Sequence, residues 1–143
     1  MKKILKIFLI LILVVIGVIV FNPSAKHNVV RYVKNNNVEL MATAENIIEN
    51  NITVNAEYNS WLVDYYIKSD TPVVEFTVSS FGIVPSSCYK GFYYSPDDVP
   101  IGYQGVKTEF LQNGSRWEYS YGGDNTGFTE KICDNWYWFE MSF

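Results

Sequence analysis

Only one histidine, His27, is present in the 143 residues, and it lies just beyond a long apolar run that ends at Phe21. Ser-His-Asp and Cys-His catalytic sets need an imidazole beside the nucleophile, so neither can be built into the rest of the chain. Zinc sites draw on clusters of His and Cys, and two cysteines with one histidine do not make one. There is no phosphate-binding P-loop and no dinucleotide fingerprint. The stretch Gly122-Gly123-Asp124-Asn125-Thr126-Gly127 has the composition of a hairpin turn. Its sharper reading is an oxygen-rich Ca²⁺ loop helped by Asp97 and Asp98, but the EF-hand pattern and its closing Glu are missing. Carboxylate pairs for glycoside cleavage can be picked from Glu118, Asp124 and Glu130, yet fifteen acidic residues make any such pick uninformative. The expectation is a protein with no catalytic residues, no metal and no cofactor, and not an enzyme.

Two other groups carry more information. Cys88 and Cys133 both fall in predicted strands, and two thiols in an exported domain usually become one disulfide. A bridge closing that loop is expected to contribute about 3–4 kcal/mol by the chain-entropy argument. Aromatic residues make up 17% of the chain, more than one small core needs, so some are expected at the surface, where flat rings stack on sugars or anchor protein contacts. The candidate patch is Trp136 and Trp138 with Lys131, and Trp61 is an outside member. A tight turn at Asp134-Asn135 would set Cys133 opposite Trp136 and Lys131 opposite Trp138, a cation–π pair. In the same hairpin Ile132, Tyr137, Glu130, Phe139, Phe128 and Met141 would share the core face.

Those residues need a scaffold. From Asn28 to about Asn50, Val30, Val33, Leu40, Ala44, Ile47 and Ile48 recur at helical spacing. This predicts an amphipathic helix, with Asn35-Asn36-Asn37 as the point where it splits and Asn50-Asn51 as its stop. Beyond Ile52 the period shortens toward two and β-branched and aromatic residues dominate. Strands are predicted over 52–58, 61–67, 73–84, 88–94, 106–111, 116–121, 128–133 and 136–143. On 116–121, Trp117, Tyr119 and Tyr121 share one face. Short connections imply an antiparallel β-meander. The fold class is α+β, with the amphipathic helix packed on the sheet.

The scaffold has an address. Ile7 to Phe21 are fifteen consecutive apolar or glycine residues behind the leader MKKILK. Spanning a bilayer takes roughly 20 helical residues, and Ile4, Leu5 and the stem of Lys6 extend the run toward that length. Residues 1–25 are therefore expected to be a signal-anchor transmembrane helix, ended or kinked by Asn22-Pro23-Ser24, and residues 26–143 an extracytoplasmic α+β domain. The basic leader puts the N-terminus in the cytoplasm. The alternative is a cleaved signal peptide and a secreted protein. Of the eleven Lys and Arg, three precede Ile7, leaving eight against fifteen acids in residues 22–143, and from Asn36 onward the balance is five against fifteen. A surface that acidic excludes nucleic acid as a partner. The wealth of Asn, Ile, Lys and Tyr is the codon usage of an AT-rich bacterial genome.

The order apolar helix, amphipathic helix, antiparallel sheet and C-terminal disulfide, with Pro23 near the end of the apolar run, resembles the layout of type IV pilin-like proteins. That resemblance implies an assembly subunit. The Gly-Phe processing site and the Glu near the start of the apolar run are absent from this sequence. The leading expectation is a single-pass membrane protein whose outer domain binds a protein or carbohydrate or serves structurally. A pilin-like subunit and a secreted carboxylate-dependent hydrolase are the alternatives.

Overall fold

A stretch that is apolar at both odd and even positions has no face to give to water, and Trp136–Ser142, WYWFEMS, opens with such a stretch, WYWF. The computed structural model describes Phe8 and residues 10–12, 26–52, 56–66, 72–83 and 86–143. It places this strand inside a sheet that is covered on both sides. Two helices come first, α1 (Lys26–Asn35) and α2 (Asn37–Glu49). Eight strands follow: β1 (Ala56–Tyr58), β2 (Trp61–Tyr66), β3 (Val73–Ile83), β4 (Ser86–Tyr94), β5 (Leu111–Asn113), β6 (Arg116–Gly122), β7 (Asn125–Cys133) and β8 (Trp136–Ser142).

The α+β class and the antiparallel pairing agree with the sequence reading, but the sheet is not one continuous meander. Its order is β1-β2-β3-β4-β8-β7-β6-β5. Two four-stranded meanders meet at the β4·β8 pair, so the chain leaving β4 must travel to the far edge before β5 can begin. Residues 95–110 make that journey across one face of the sheet, through a 3₁₀ turn at Tyr103–Gly105. We call this segment the strap. The strand expected at 106–111 is therefore reduced to a three-residue edge, because Phe110 leaves the sheet plane to set its ring edge-on against Tyr119, 5.6 Å away.

The helices cover the other face. Val29 and Val33 of α1 and Leu40, Ala44 and Ile47 of α2 form their buried stripe. Against it lie Trp61, Val63, Val74, Phe76, Phe92, Tyr94, Ile132, Trp136 and Trp138. Phe76 and Phe92 stack at 4.7 Å, and Trp61 meets Phe92 edge-on at 5.1 Å. The helix breaks where three asparagines weaken it: the Asn36 side chain donates to the Tyr32 carbonyl at 2.8 Å, and the Asn36 carbonyl accepts from Leu40 N–H to begin α2. Asn51, at φ 49°, ends α2 in the left-handed conformation that closes many helices, with Ile52 N–H on the Ile47 carbonyl and Asn51 N–H on that of Ile48.

The expected transmembrane helix over residues 1–25 lies outside the described residues, except for Phe8 and residues 10–12, which are helical. Among the described residues no helix is long and apolar enough to cross a membrane.

Trp138 is 1% exposed on the helix-covered face, beneath the start of α1. Trp138→Ala should lower stability by about 3–5 kcal/mol. A urea titration checks this, the expected result being an earlier midpoint with an unchanged slope.

Candidate functional site

The sequence-predicted residues are dispersed by the fold. Trp136 and Trp138 are each 1% exposed, sealed beneath the helices, so they do not form a surface patch. Trp61 is buried in the same layer. Cys133 does pair with Trp136, but the register then shifts between Lys131 and Cys133. Lys131 consequently lies opposite Tyr137, and Glu130 lies opposite Trp138. One inserted residue moves every later side chain to the other face. Lys131 turns to Asp98, 2.6 Å away, and to Asp134 at 3.5 Å. The ammonium near Trp138 is that of Lys26, 5.8 Å from the ring.

The disulfide is overturned in the same way. Cys88 and Cys133 are both free, Cys88 exposed and Cys133 half-buried. Cys88 is level with Ser142 and Cys133 with Trp136, at opposite ends of β8. Six residues of strand are about 20 Å, whereas bridged cysteines have Cα atoms within roughly 7 Å. Burial pushes the Cys133 thiol pKa up.

The acids are dispersed as well. Glu130 is held by Lys26 at 2.7 Å and Arg116 at 3.4 Å, and despite partial burial these cations keep its pKa below the usual carboxylate value. Gly123 and Asp124 form the β6–β7 turn. Among the described residues no three His, Cys, Asp or Glu gather where they could hold a metal ion.

What the fold does assemble is an open groove of about 880 Å³ on the helix-side face, past the point where α1 begins. Lys26, the first residue of α1, sits over Phe128 and Trp138, and α1 and α2 run from there over the Ile132, Trp136 and Trp138 side of the sheet. The register sets one row across five strands: Leu111, Glu118, Phe128, Glu140 and Lys90 are successive neighbours. Apolar and acidic side chains alternate along that row. The Arg116 guanidinium lies 4.3 Å from the Phe128 ring centre. Glu140 accepts from Trp138 Nε1 at 3.1 Å and pairs with Lys90 at 2.7 Å, and Glu118 accepts from Asn113 at 2.9 Å. Glu109 and Phe110 complete the wall on the β5 side.

A second constellation lies under the strap. Asp64 and Glu75 are directly opposed on β2 and β3, an unfavourable cross-strand pair of like charges. Glu75 is 2% exposed, and its Oε1 accepts the backbone N–H of Gln104 at 2.6 Å. Burial, reinforced by the charge of Asp64, pushes the Glu75 carboxyl up to about 8, although the Gln104 N–H pulls the other way. Burial also raises the Asp64 carboxyl. Glu75 is legible in retrospect as the lone charge in the strand VVEFTV, while no local signal marks the groove, whose members meet only through register.

No family model, curated protein or solved structure matches this chain. The functional reading rests on the chemistry of these two places.

Denatured without reductant, the chain should show two thiols in a chromogenic disulfide-exchange assay. In the native protein Cys88 should react first and Cys133 slowly, and Cys88→Ser should remove the fast phase. Fewer than two thiols would restore the bridge.

Proposed function

We propose that this chain is a membrane-anchored extracytoplasmic binding module, not an enzyme, and that it takes an extended basic polypeptide segment in the β5–β8 groove. The observation that carries this reading is the row Leu111–Glu118–Phe128–Glu140, in which apolar surface alternates with carboxylates at strand spacing. An extended segment shows one face only at every second residue, so a segment with basic and apolar residues in pairs presents both kinds to the sheet, its apolar groups meeting Leu111 and Phe128 while Lys or Arg reach Glu109, Glu118 and Glu140. The acidic balance of the domain adds longer-range attraction for such a partner. A carbohydrate, the other ligand class considered, loses its main support because Trp136 and Trp138 are buried. The pilin-like alternative is weakened by the helix break at Asn36, and a carboxylate hydrolase by the ion pairs of Glu130.

The address rests on the apolar run of Ile7 to Phe21 and the basic leader before it. Two free thiols no longer contribute to that argument.

Full-length protein in detergent micelles, titrated with a twelve-residue peptide repeating Lys-Lys-Leu-Leu, which alternates Lys and Leu on each face when extended, should bind it and should ignore the Glu-Glu-Leu-Leu counterpart. Glu109→Lys with Glu118→Lys should weaken binding roughly five- to tenfold, and added salt should weaken it further. Equal binding of the two peptides, or indifference to the double charge reversal, would remove the groove from consideration. Topology has its own test in the exposed Cys88. A membrane-impermeant maleimide applied to intact cells should label the wild type and not Cys88→Ser, and labelling that requires lysis would place the domain inside.

A further inference from the structure

The strap is not held as a strand. Its backbone groups are bound one by one to side chains that stand up from the sheet. Ile101 N–H donates to Tyr93 Oη at 2.8 Å, Tyr103 N–H to Tyr119 Oη at 3.2 Å, and Gln104 N–H to Glu75 Oε1 at 2.6 Å. Tyr121 Oη donates to the Tyr103 carbonyl at 3.2 Å. One end is pinned more firmly. Ser95 N–H bonds the Asn135 carbonyl, Tyr137 Oη donates to the Asp98 carbonyl, and the Asp98 carboxylate takes Lys131 and Asn135 N–H. Both ends hold a side-chain-bearing residue in left-handed geometry, Asp98 at φ 53° and Gln104 at φ 58°, but Asp98 is fixed there by Lys131, Asn135 and Tyr137 whereas the Gln104 backbone is held by Glu75.

We infer that the strap is a proton-gated cover: a neutral Glu75 latches it over the tyrosine-lined face of the sheet, and removal of that proton favours its release, with the Ser95–Asp98 end as the hinge. The environment of Glu75 gives the reason. From β2 it faces Asp64 and Tyr66, from β4 Tyr93, from β6 Tyr119 and Tyr121, and from the strap Tyr103. None of these carries a positive charge. An ionised buried carboxyl is commonly held by two or three donors or by a cation, and among the described residues Gln104 N–H is the donor that Glu75 has. Ionisation strengthens that one bond but leaves the desolvation cost and the Asp64 repulsion. Water can relieve both once the strap lifts, and lifting also frees Gln104 from its left-handed conformation. Opening one irregular segment costs less than unfolding the sheet.

The sign follows from proton linkage. The closed state keeps its proton up to about pH 8, whereas an exposed Glu loses it near 4.5. Between those values the open form holds fewer protons, so the open population rises with pH, and above about 8 it levels off. What release uncovers is the apolar face formed by Tyr93, Tyr137, Phe139 and Met141 beneath Ile101 and Tyr103.

Hydrogen exchange of the full-length protein in micelles, followed from pH 5.5 to 9 and corrected for intrinsic exchange rates, tests the inference. In the wild type the amides of Ile101, Tyr103 and Gln104 should be less protected than those of β8 at every pH. Their protection should fall by up to about tenfold per pH unit and then flatten. Glu75→Gln, neutral at every pH, should abolish the slope. Asp64→Asn should keep the slope and move the plateau to lower pH. Equal protection of the strap and β8, a flat wild-type profile, an unchanged slope in Glu75→Gln, or an unmoved plateau in Asp64→Asn would each overturn it. Should Glu75→Gln fail to fold, the wild type and Asp64→Asn decide the question by themselves.

Discussion

The paired central strands β4 and β8 set the terms for everything around them. Phe92 and Tyr94 point one way and Tyr93 the other, and Trp136 and Trp138 oppose Tyr137, Phe139 and Met141 in the same manner. A sheet with such a seam has to be roofed and floored. The helices are one cover. The long connection from β4 to β5 is the other, and it can serve because the topology forces it to cross the sheet.

An irregular cover carries backbone donors and acceptors into the interior with no ladder to satisfy them. The tyrosines resolve that conflict. Each supplies a ring for burial and a hydroxyl for the strap, so Tyr93, Tyr119, Tyr121 and Tyr137 do work that phenylalanine cannot. The aromatic excess in the composition thus reflects two packed faces and a side-chain-bound strap, and it does not require a stacking platform at the surface. Glu75 performs the same service with a group whose charge state depends on pH, which sets it apart from its neighbours.

Local features were readable from the sequence because local physics decides them. Asn36 splits the helices and Asn51 stops the second, as a run of weak helix formers and a tolerated left-handed residue would suggest. Asp134-Asn135 makes the last hairpin turn. Non-local features were not readable. The register shift before Cys133 could not be inferred from alternation, and it moved Lys131 away from Trp138. Strand membership alone said nothing about which end of the sheet each cysteine occupies, so two plausible partners proved to be separated by the length of β8. The groove depends on four strand pairings at once, beyond the reach of any pattern within one segment.

The seam between the two meanders also bears on how the chain acquires its shape. Within each half every pairing joins consecutive strands, and hairpins of that kind form on microsecond timescales. The β4·β8 pairing is different, since at its end Cys88 and Ser142 are 54 residues apart. Closing so long a loop is entropically costly before contacts repay it, and topologies rich in such pairings fold slowly. The halves can therefore be formed while the seam is still open, with Trp136, Trp138, Phe92 and Tyr94 unburied and two long strand edges unpaired. That interval, between strand formation and closure, is when this sheet is most exposed to pairing with the wrong chain.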